Sequence, residues 1–231
     1  MTNQTFPIKK IGNWWVPEKE NFHKVIKTIH SQEWTCREPI VAALQYVKRF
    51  ELAIDVGTWI GDSTVIMAER FNQVVGFEAS SDVYECCVNN IKDRQLNHVT
   101  LHNRALSNVN QEQTFINRLS TFSGWVDTKN INALNQDEVS FQVQSNTLDY
   151  YNFSSVDFLK LDVDSHEGFV LAGATQFFSR NNPVVLIENK PSVLNRQTEH
   201  MPNAFELLKS FGYVMQQQVG KIDFIWTRQI P

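Results

Sequence analysis

The sequence contains little cysteine, glycine or proline, and it has no long apolar run. Its three cysteines, Cys36, Cys86 and Cys87, are an odd number and lack the paired spacing of a disulfide framework or a zinc site. Nine glycines and seven prolines exclude collagen-like and low-complexity chains. No segment approaches the roughly 20 apolar residues of a membrane helix, and the N-terminus lacks the apolar core of a secretory signal. We therefore expect free thiols in a soluble, cytoplasmic protein that does not contact a membrane.

An excess of positive charge is also missing. Lysine and arginine number 21 against 25 aspartates and glutamates, for a net charge of −4. That balance argues against extensive nucleic-acid binding, which needs a broad basic face, although a local basic groove is compatible with it. Hydrophobic residues make up 42% of the 231 residues, which is enough for a folded core. The length favours a single domain over residues 1–231, and its oligomeric state is left open.

Short apolar runs alternate with amphipathic segments along most of the chain. Near-continuous apolar runs of this length are typical of strands that are buried on both faces of a parallel sheet. The predicted strands are Leu52–Val56, Val74–Glu78, Val99–Asn103, Val156–Val163, Val184–Glu188, Tyr213–Val219 and Asp223–Thr227. The predicted helices are Pro39–Phe50, Asp62–Phe71, Asp82–Asp93, Glu167–Ser179 and Asn203–Phe211. This alternation predicts an α/β fold with a doubly wound, mostly parallel sheet.

Two segments depart from the alternation. Residues 1–37 form an N-terminal extension. Residues 107–155 contain the strand-like pieces Gln113–Asn117 and Val139–Gln144 around a polar loop, which predict an inserted hairpin that serves as a lid over a site. We expect three tryptophans to pack the extension onto the domain rather than to form a stacking wall for a ligand: Trp14, Trp15 and Trp34.

The loop after the first predicted strand is the most informative stretch. It reads D-x-G-x-x-x-G, with Asp55, Gly57 and Gly61, and Glu78 ends the next strand. Glycines in such a loop let the backbone approach a ligand, and an acid at the end of the second strand accepts hydrogen bonds from ribose hydroxyls. A dinucleotide site would instead have G-x-G-x-x-G and no acid beside the pyrophosphate. Asp55 therefore favours S-adenosylmethionine, which carries an ammonium and a sulfonium; the alternative is an ordinary tight turn.

Several segments in this order resemble the FkbM family of class I S-adenosylmethionine-dependent methyltransferases. The resemblance runs from about Ala53 to Glu188, with two departures: Asp164-Ser165 stands where the family has Glu-Gly, and Trp59 is bulkier than the residue expected there. The matching segments are AIDVGTWIGDSTV from Ala53, VGFEAS from Val75, NRALS from Asn103, TLD from Thr147, KLDVDSHE from Lys160, Gly173-Ala174 and LIE from Leu186.

The resemblance implies a seven-stranded Rossmann-like methyltransferase sheet and S-adenosylmethionine as the cofactor. It implies that Glu78 binds the ribose and that Asn103 and Ala105 flank the adenine. The residues implied for the methionine end of the cofactor and its loop are Asp55, Gly57, Thr58 and Gly61.

Ionisable residues crowd the end of the fourth predicted strand, where a doubly wound sheet places its ligand crevice. Strand alternation puts Lys160, Asp162 and Asp164 on one side. We expect Asp162 or His166 to act as the general base for a hydroxyl acceptor, with Asp164 orienting the acceptor and the carboxylates stabilising a protonated His166. The alternative is that these acids only begin the helix at Glu167.

A magnesium site is a further alternative, because Glu188 and Asn189 end the fifth strand and would combine with Asp162 or Asp164 as oxygen ligands. The resemblance requires no metal, and we expect none. The leading hypothesis is O-methylation of a hydroxyl on a sugar or small metabolite. The alternatives are a non-catalytic S-adenosylmethionine-binding domain and a nicotinamide-dependent oxidoreductase.

Overall fold

A computed structural model of the chain describes residues 7–18, 36–118, 123–127, 138–189 and 202–229. The strands in these ranges are β1 (Ile8–Ile11), β2 (Trp14–Pro17), β3 (Leu52–Val56), β4 (Gln73–Glu78), β5 (Val99–Asn103), β6 (Ala105–Leu106), β7 (Gln111–Arg118), β8 (Ser123–Asp127), β9 (Glu138–Asn146), β10 (Val156–Leu161), β11 (Val184–Glu188), β12 (Tyr213–Val219) and β13 (Asp223–Arg228). The helices are α1 (Arg37–Leu44), α2 (Asp62–Ala68), α3 (Ser81–Asp93), α4 (Glu167–Ala172), α5 (Thr175–Arg180) and α6 (Ala204–Ser210), and a 3₁₀ turn covers Leu148–Tyr151.

The predicted seven-stranded sheet is confirmed. Its strand order is β12-β13-β11-β10-β3-β4-β5. The pairs between β11, β10, β3, β4 and β5 are parallel, and β13 runs antiparallel to both of its neighbours. All seven predicted strands are present, although the fourth ends at Leu161 and not at Val163. Because β3 and β10 are neighbours, their carboxyl ends meet at the switch point of the sheet.

Helices cover both faces of this sheet, which explains the near-continuous apolar runs. On one face α1 and α2 pack over Ala53 and Phe158. On the other face α4, α5 and α6 pack over Ile54 and Leu159. Successive residues of the central strands β3, β10 and β11 thus enter different cores, so most of them are apolar, whereas the edge strand β12 has four exposed residues in a row. None of the helices in the described ranges has the length and apolarity needed to cross a bilayer.

The five predicted helices differ from the structure in their bounds, and the largest difference is in the fourth. The single helix predicted over Glu167–Ser179 is broken into α4 and α5 at Gly173. A Cβ on Gly173 would overlap the carbonyl oxygen of Ser107, so the close approach of that chain segment accounts for the glycine at the break. Helix α3 begins at Ser81, one residue before the predicted Asp82. Helix α1 ends at Leu44, well before the predicted Phe50.

The inserted segment is larger than the hairpin predicted for it. Strands β7 and β9 pair antiparallel, as expected for a hairpin, but β6 and β8 extend them to a four-stranded sheet in the order β6-β9-β7-β8. Its small core of Ala105, Phe115 and Val143 packs against Ala79 in the turn after β4. The insertion therefore adjoins the candidate site, and its role as a lid stays a prediction.

The N-terminal extension packs onto α3 through its tryptophans. Strands β1 and β2 form an antiparallel hairpin. The backbone N–H of Trp15 donates to Asn90 Oδ1 at 2.7 Å, and the Arg94 guanidinium lies 3.8 Å from the Trp14 ring centroid. Packing is thus confirmed for Trp14 and Trp15, while Trp34 lies outside the described residues.

Candidate functional site

The loop between β3 and α2 is pressed against both neighbouring strands. Gly57 has φ +83°, and a Cβ there would overlap the carbonyl oxygen of Asp162. The backbone N–H groups of Gly57 and Thr58 donate to the Phe77 carbonyl at 3.0 and 3.1 Å. Gly61 has φ +94°, and a Cβ on it would lie 2.8 Å from the thiol of Cys87, which like the other two cysteines is free. The two glycines of the motif are therefore required by the left-handed backbone and by close packing.

Asp55 is buried at the end of β3, and the protein engages both of its carboxylate oxygens. Oδ2 accepts hydrogen bonds from the hydroxyls of Ser63 at 2.7 Å and Thr64 at 2.6 Å. Oδ1 lies 3.5 Å from Nζ of Lys160. Asp55 thus ties the first turn of α2 to the end of β3 and holds the loop between them in shape.

Lys160 is the residue that sequence reasoning named without a role. Its buried ammonium also lies 3.2 Å from Asp162 Oδ2 and 3.5 Å from the Gly57 carbonyl oxygen. Burial by itself lowers the pKa of Lys160, but the carboxylates of Asp162 and Asp55 outweigh burial and raise that pKa above its ordinary value. The sequence could have revealed this role, because a lysine within a mainly apolar strand is expected to be buried and a buried cation needs carboxylate partners.

Glu78 ends β4 and faces the same loop. Its Oε2 accepts the N–H of Trp59 at 3.0 Å and its Oε1 accepts the N–H of Ser80 at 2.9 Å. Burial raises the pKa of Glu78 to about 7, against the effect of these N–H donors, and the nearby charge of Asp164 raises it further. Trp59 has φ +48°. The bulky Trp59 is thus held in a left-handed turn whose amide is bonded to Glu78.

The two residues predicted to flank the adenine have other contacts. The Asn103 amide donates to the carbonyls of Glu78 at 2.9 Å and Ala79 at 3.2 Å, and its Oδ1 accepts from Ser81 at 3.1 Å. Asn103 therefore supports the turn that carries Glu78. Ala105 is buried in the core of the inserted sheet. Their contact with adenine stays a prediction.

The predicted catalytic residues differ in their access to the crevice. The Asp162 side chain is 35% exposed, and Asp164 is half-buried in a left-handed conformation with φ +49°. His166 is only 4% exposed, stacks on Phe169 and has Nε2 3.0 Å from Ser107 Oγ. Burial lowers the pKa of His166 to about 4, so the expectation of a protonated His166 is wrong. The desolvation of its ring exceeds any stabilisation by the nearby acids.

Glu167 has a structural role at the start of α4, which was the alternative to a catalytic role for the acids at this strand end. Its Oε1 accepts the backbone N–H groups of Val163 at 2.9 Å and Ser165 at 3.3 Å, which shapes the turn before α4. Burial raises the pKa of Glu167 to about 7. In the part of the chain that the structure describes, no three His, Cys, Asp or Glu side chains form a metal-binding group.

The edge where β3, β4 and β10 end is rich in carboxylates, and Lys160, the lysine among its described residues, is already paired. The carboxylates come from Asp55, Glu78, Asp162 and Asp164, and the charge of Lys160 is matched by two of them. Such a set of groups repels phosphate and suits a ligand with positive charge and hydroxyl groups. S-adenosylmethionine has this chemistry, so the residues present fit it.

Comparison with known proteins points to one family. The profile described as "Methyltransferase FkbM domain" matches residues 55–215. A methyltransferase FkbM from Methylobacillus flagellatus KT is similar in structure, with a TM-score of 0.53 and 14% identity over 90% of this chain and 56% of that one. A ribosomal protein L11 methylase from Lactobacillus delbrueckii subsp. bulgaricus has a TM-score of 0.52 and 11% identity over 85% of this chain and 79% of that one. No curated protein matches the chain.

These structural likenesses, at such low identity, establish the fold alone. The chain spans a little over half, 56%, of the length of the Methylobacillus protein. The profile match covers more than half of this chain and includes Asp55, Glu78 and the segment from Lys160 to Glu167.

Proposed function

The chain belongs to the FkbM methyltransferase family, and we propose that it methylates a hydroxyl group on a sugar or small metabolite. Its cofactor is S-adenosylmethionine, which when bound supplies an electrophilic methyl carbon. The observation that carries the proposal is the carboxylate-lined crevice at the ends of β3, β4 and β10. It combines a place for a cation with an accessible acid, Asp162, that can take a proton from an alcohol.

Each side chain at the site has a separate role in this proposal. The Glu78 carboxylate, held by the N–H groups of Trp59 and Ser80, receives the ribose hydroxyls with its remaining lone pairs. Asp162 is the general base, and Lys160 fixes its orientation from 3.2 Å away. Asp162 is favoured over His166 because the Asp162 side chain is 35% exposed whereas His166 is only 4% exposed. Asp164 helps to orient the acceptor.

Membership in a methyltransferase family, together with the acid in the cofactor loop, weighs against the nicotinamide-dependent oxidoreductase. A non-catalytic S-adenosylmethionine-binding domain is the competing reading, and the Asp164-Ser165 departure from the family pattern is what favours it. A turnover measurement therefore decides between an enzyme and a binding domain.

The test has two parts. Calorimetry with S-adenosylhomocysteine and with NAD should show binding of the first compound only. Incubation with methyl-labelled S-adenosylmethionine and a library of sugars, phenols and alcohols should label a hydroxyl compound, with amines, ribosomal RNA and ribosomal protein as comparison acceptors. Label transferred only to nitrogen or to a macromolecule would overturn the hydroxyl assignment. Cofactor binding without any transfer would favour the non-catalytic domain.

A further inference from the structure

A second cleft lies at the edge of the sheet opposite the candidate site. It has a volume of about 460 Å³ and is formed by the segment after α1, the starts of β10 and β11 and the end of β13. The carboxyl ends of the parallel strands carry the methyltransferase residues, so this cleft is separated from them by the length of the strands. Its volume is in the range of small-molecule sites.

Most of the charged side chains that line this cleft are positive. Lys48, Arg49, Arg180 and Arg228 all contribute, whereas Asp157 is the single carboxylate among the described lining residues. The whole chain carries a net charge of −4. The excess of cations in this cleft is therefore opposite in sign to the net charge of the protein. The cations come from three separate parts of the sequence, because Lys48 and Arg49 are adjacent while Arg180 and Arg228 lie far from them along the chain.

The Asp157 carboxylate and one of the cations have fixed partners. Asp157 is buried and accepts Arg49 Nη2 at 2.9 Å and the backbone N–H of Glu51 at 2.9 Å. The negative charge of Asp157 is therefore already paired with Arg49. Arg228 Nη1 donates to Asn182 Oδ1 at 2.7 Å and to the Phe178 carbonyl at 2.9 Å. These two uncharged partners hold the Arg228 guanidinium in place without neutralising its positive charge.

The other two cations are exposed and available. Lys48 and Arg180 have no ion-pair or hydrogen-bond partner among the residues that the structure describes. Like charges gathered in a concave surface without counter-charges raise the local concentration of anions. The arginine fork matches the oxygens of a phosphoryl group in a bidentate manner.

We propose that this cleft is a second binding site, which takes a small molecule carrying a phosphate or diphosphate group. The described lining has four cations and one carboxylate, Asp157, which is already paired with Arg49. This excess of positive charge suits a ligand with a multiply charged phosphoryl group better than a ligand with one carboxylate. Its limited volume of about 460 Å³ fits a small ligand, whereas a polynucleotide requires an extended basic track with stacking aromatic residues. The site is independent of the methyl-transfer function proposed above.

The test measures anion binding by calorimetry at constant ionic strength. The probes are pyrophosphate, adenosine 5′-monophosphate and a single-stranded RNA oligonucleotide, each against chloride of the same ionic strength. In the K48Q/R180Q variant, affinity for the two small probes should fall by at least about tenfold, because two charge-assisted contacts are lost. The control variant K92Q/K209Q removes two exposed positive charges elsewhere and should bind the probes as the wild type does.

S-adenosylhomocysteine affinity should be the same in the wild type and both variants, which separates this site from the cofactor site. Failure of both small probes to bind above the chloride control would overturn the proposal. Binding that is equally strong in K48Q/R180Q would also overturn it, since the anion would then lie elsewhere. RNA binding that depends on Lys48 and Arg180 without small-probe binding would reassign the cleft to nucleic acid.

Discussion

The ammonium of Lys160 lies 3.5 Å from the Asp55 carboxylate, and the two residues stand directly opposite each other on the neighbouring strands β10 and β3. Both side chains are buried. Asp55 holds the first turn of α2 through Ser63 and Thr64, while Lys160 also contacts Asp162. One buried ion pair therefore joins the cofactor loop to the segment proposed to carry the general base.

Lys160→Met should destabilise the protein by about 3–5 kcal/mol, the usual loss when one partner of a buried ion pair is removed. The methionine fills a similar volume but leaves Asp55 without its counter-charge. Urea unfolding measures the difference. Lys92→Met, at an exposed position on α3, is the matched control and should change stability by less than about 0.5 kcal/mol. Equal stability of the two variants would show that the pair contributes nothing.

Glu78→Ala should weaken S-adenosylhomocysteine binding by about 1.5–3 kcal/mol, the range for hydrogen bonds to a charged group. The alanine removes the acceptor for the proposed ribose contact and also frees the N–H groups of Trp59 and Ser80. Calorimetry on the folded variant provides the measurement. Glu78→Gln keeps one acceptor oxygen and should give an intermediate loss, whereas Glu69→Ala, at the exposed end of α2, should bind normally. An unchanged affinity in folded Glu78→Ala would remove Glu78 from the site.

Asp162→Asn should lower turnover by about 10²–10⁴, as expected for loss of a general base. The amide keeps the shape of the carboxylate, so S-adenosylhomocysteine affinity should change little. Asp157→Asn is a control at the other end of β10, where the carboxylate bonds Arg49 and the N–H of Glu51. That variant should lower the melting temperature and leave turnover per folded molecule intact. Near-normal turnover in Asp162→Asn would exclude the proposed base, and activity restored by excess magnesium would identify a metal ligand.

Ser165→Gly should stabilise the protein by about 0.5–1 kcal/mol. Ser165 has φ +75°, and a left-handed backbone costs about 1–2 kcal/mol for a residue with a Cβ; the greater freedom of glycine in the unfolded chain offsets part of the gain. Thermal and urea unfolding can measure it. Ser179→Gly in α5 introduces the same change in a helix and should destabilise instead. A loss of stability in Ser165→Gly would mean that the serine side chain contributes more than the backbone strain costs.

His166 should stay neutral down to about pH 4, because burial lowers its pKa to about 4. The unfolded chain binds a proton at this histidine near pH 6.5, so between pH 6.5 and pH 4 the unfolded state holds more protons and stability falls as the pH falls. From pH 7 to pH 5 the wild type should lose about 2 kcal/mol more than His166→Gln. NMR titration of the labelled imidazole reports its protonation directly. A titration midpoint near pH 6.5 would contradict the buried, neutral state.

The sequence by itself determined the sheet and the glycine-containing loop after β3. The central strands were predicted from their apolar runs because helices on both faces leave little room for polar residues, and the buried Asp55, Asp157 and Lys160 are exceptions that have charged partners. The Asp55–Gly61 motif was readable because the glycines are required by local backbone geometry, with φ +83° at Gly57 and +94° at Gly61. The apolar runs and the glycine motif both depend on residues that are close together in the chain, so they can be recognised in a single sequence.

The tertiary structure alone decided which polar groups meet. Asn103 supports the turn at Glu78, from which it is 25 residues distant, and His166 loses its charge because Ser107 and Phe169 enclose it. The helix break at Gly173 depends on the passage of Ser107. The basic cleft brings Lys48 together with Arg228 from the other end of the chain. Burial, charge pairing and close contact act through space, and their partners are set only when the sheet has ordered the distant segments.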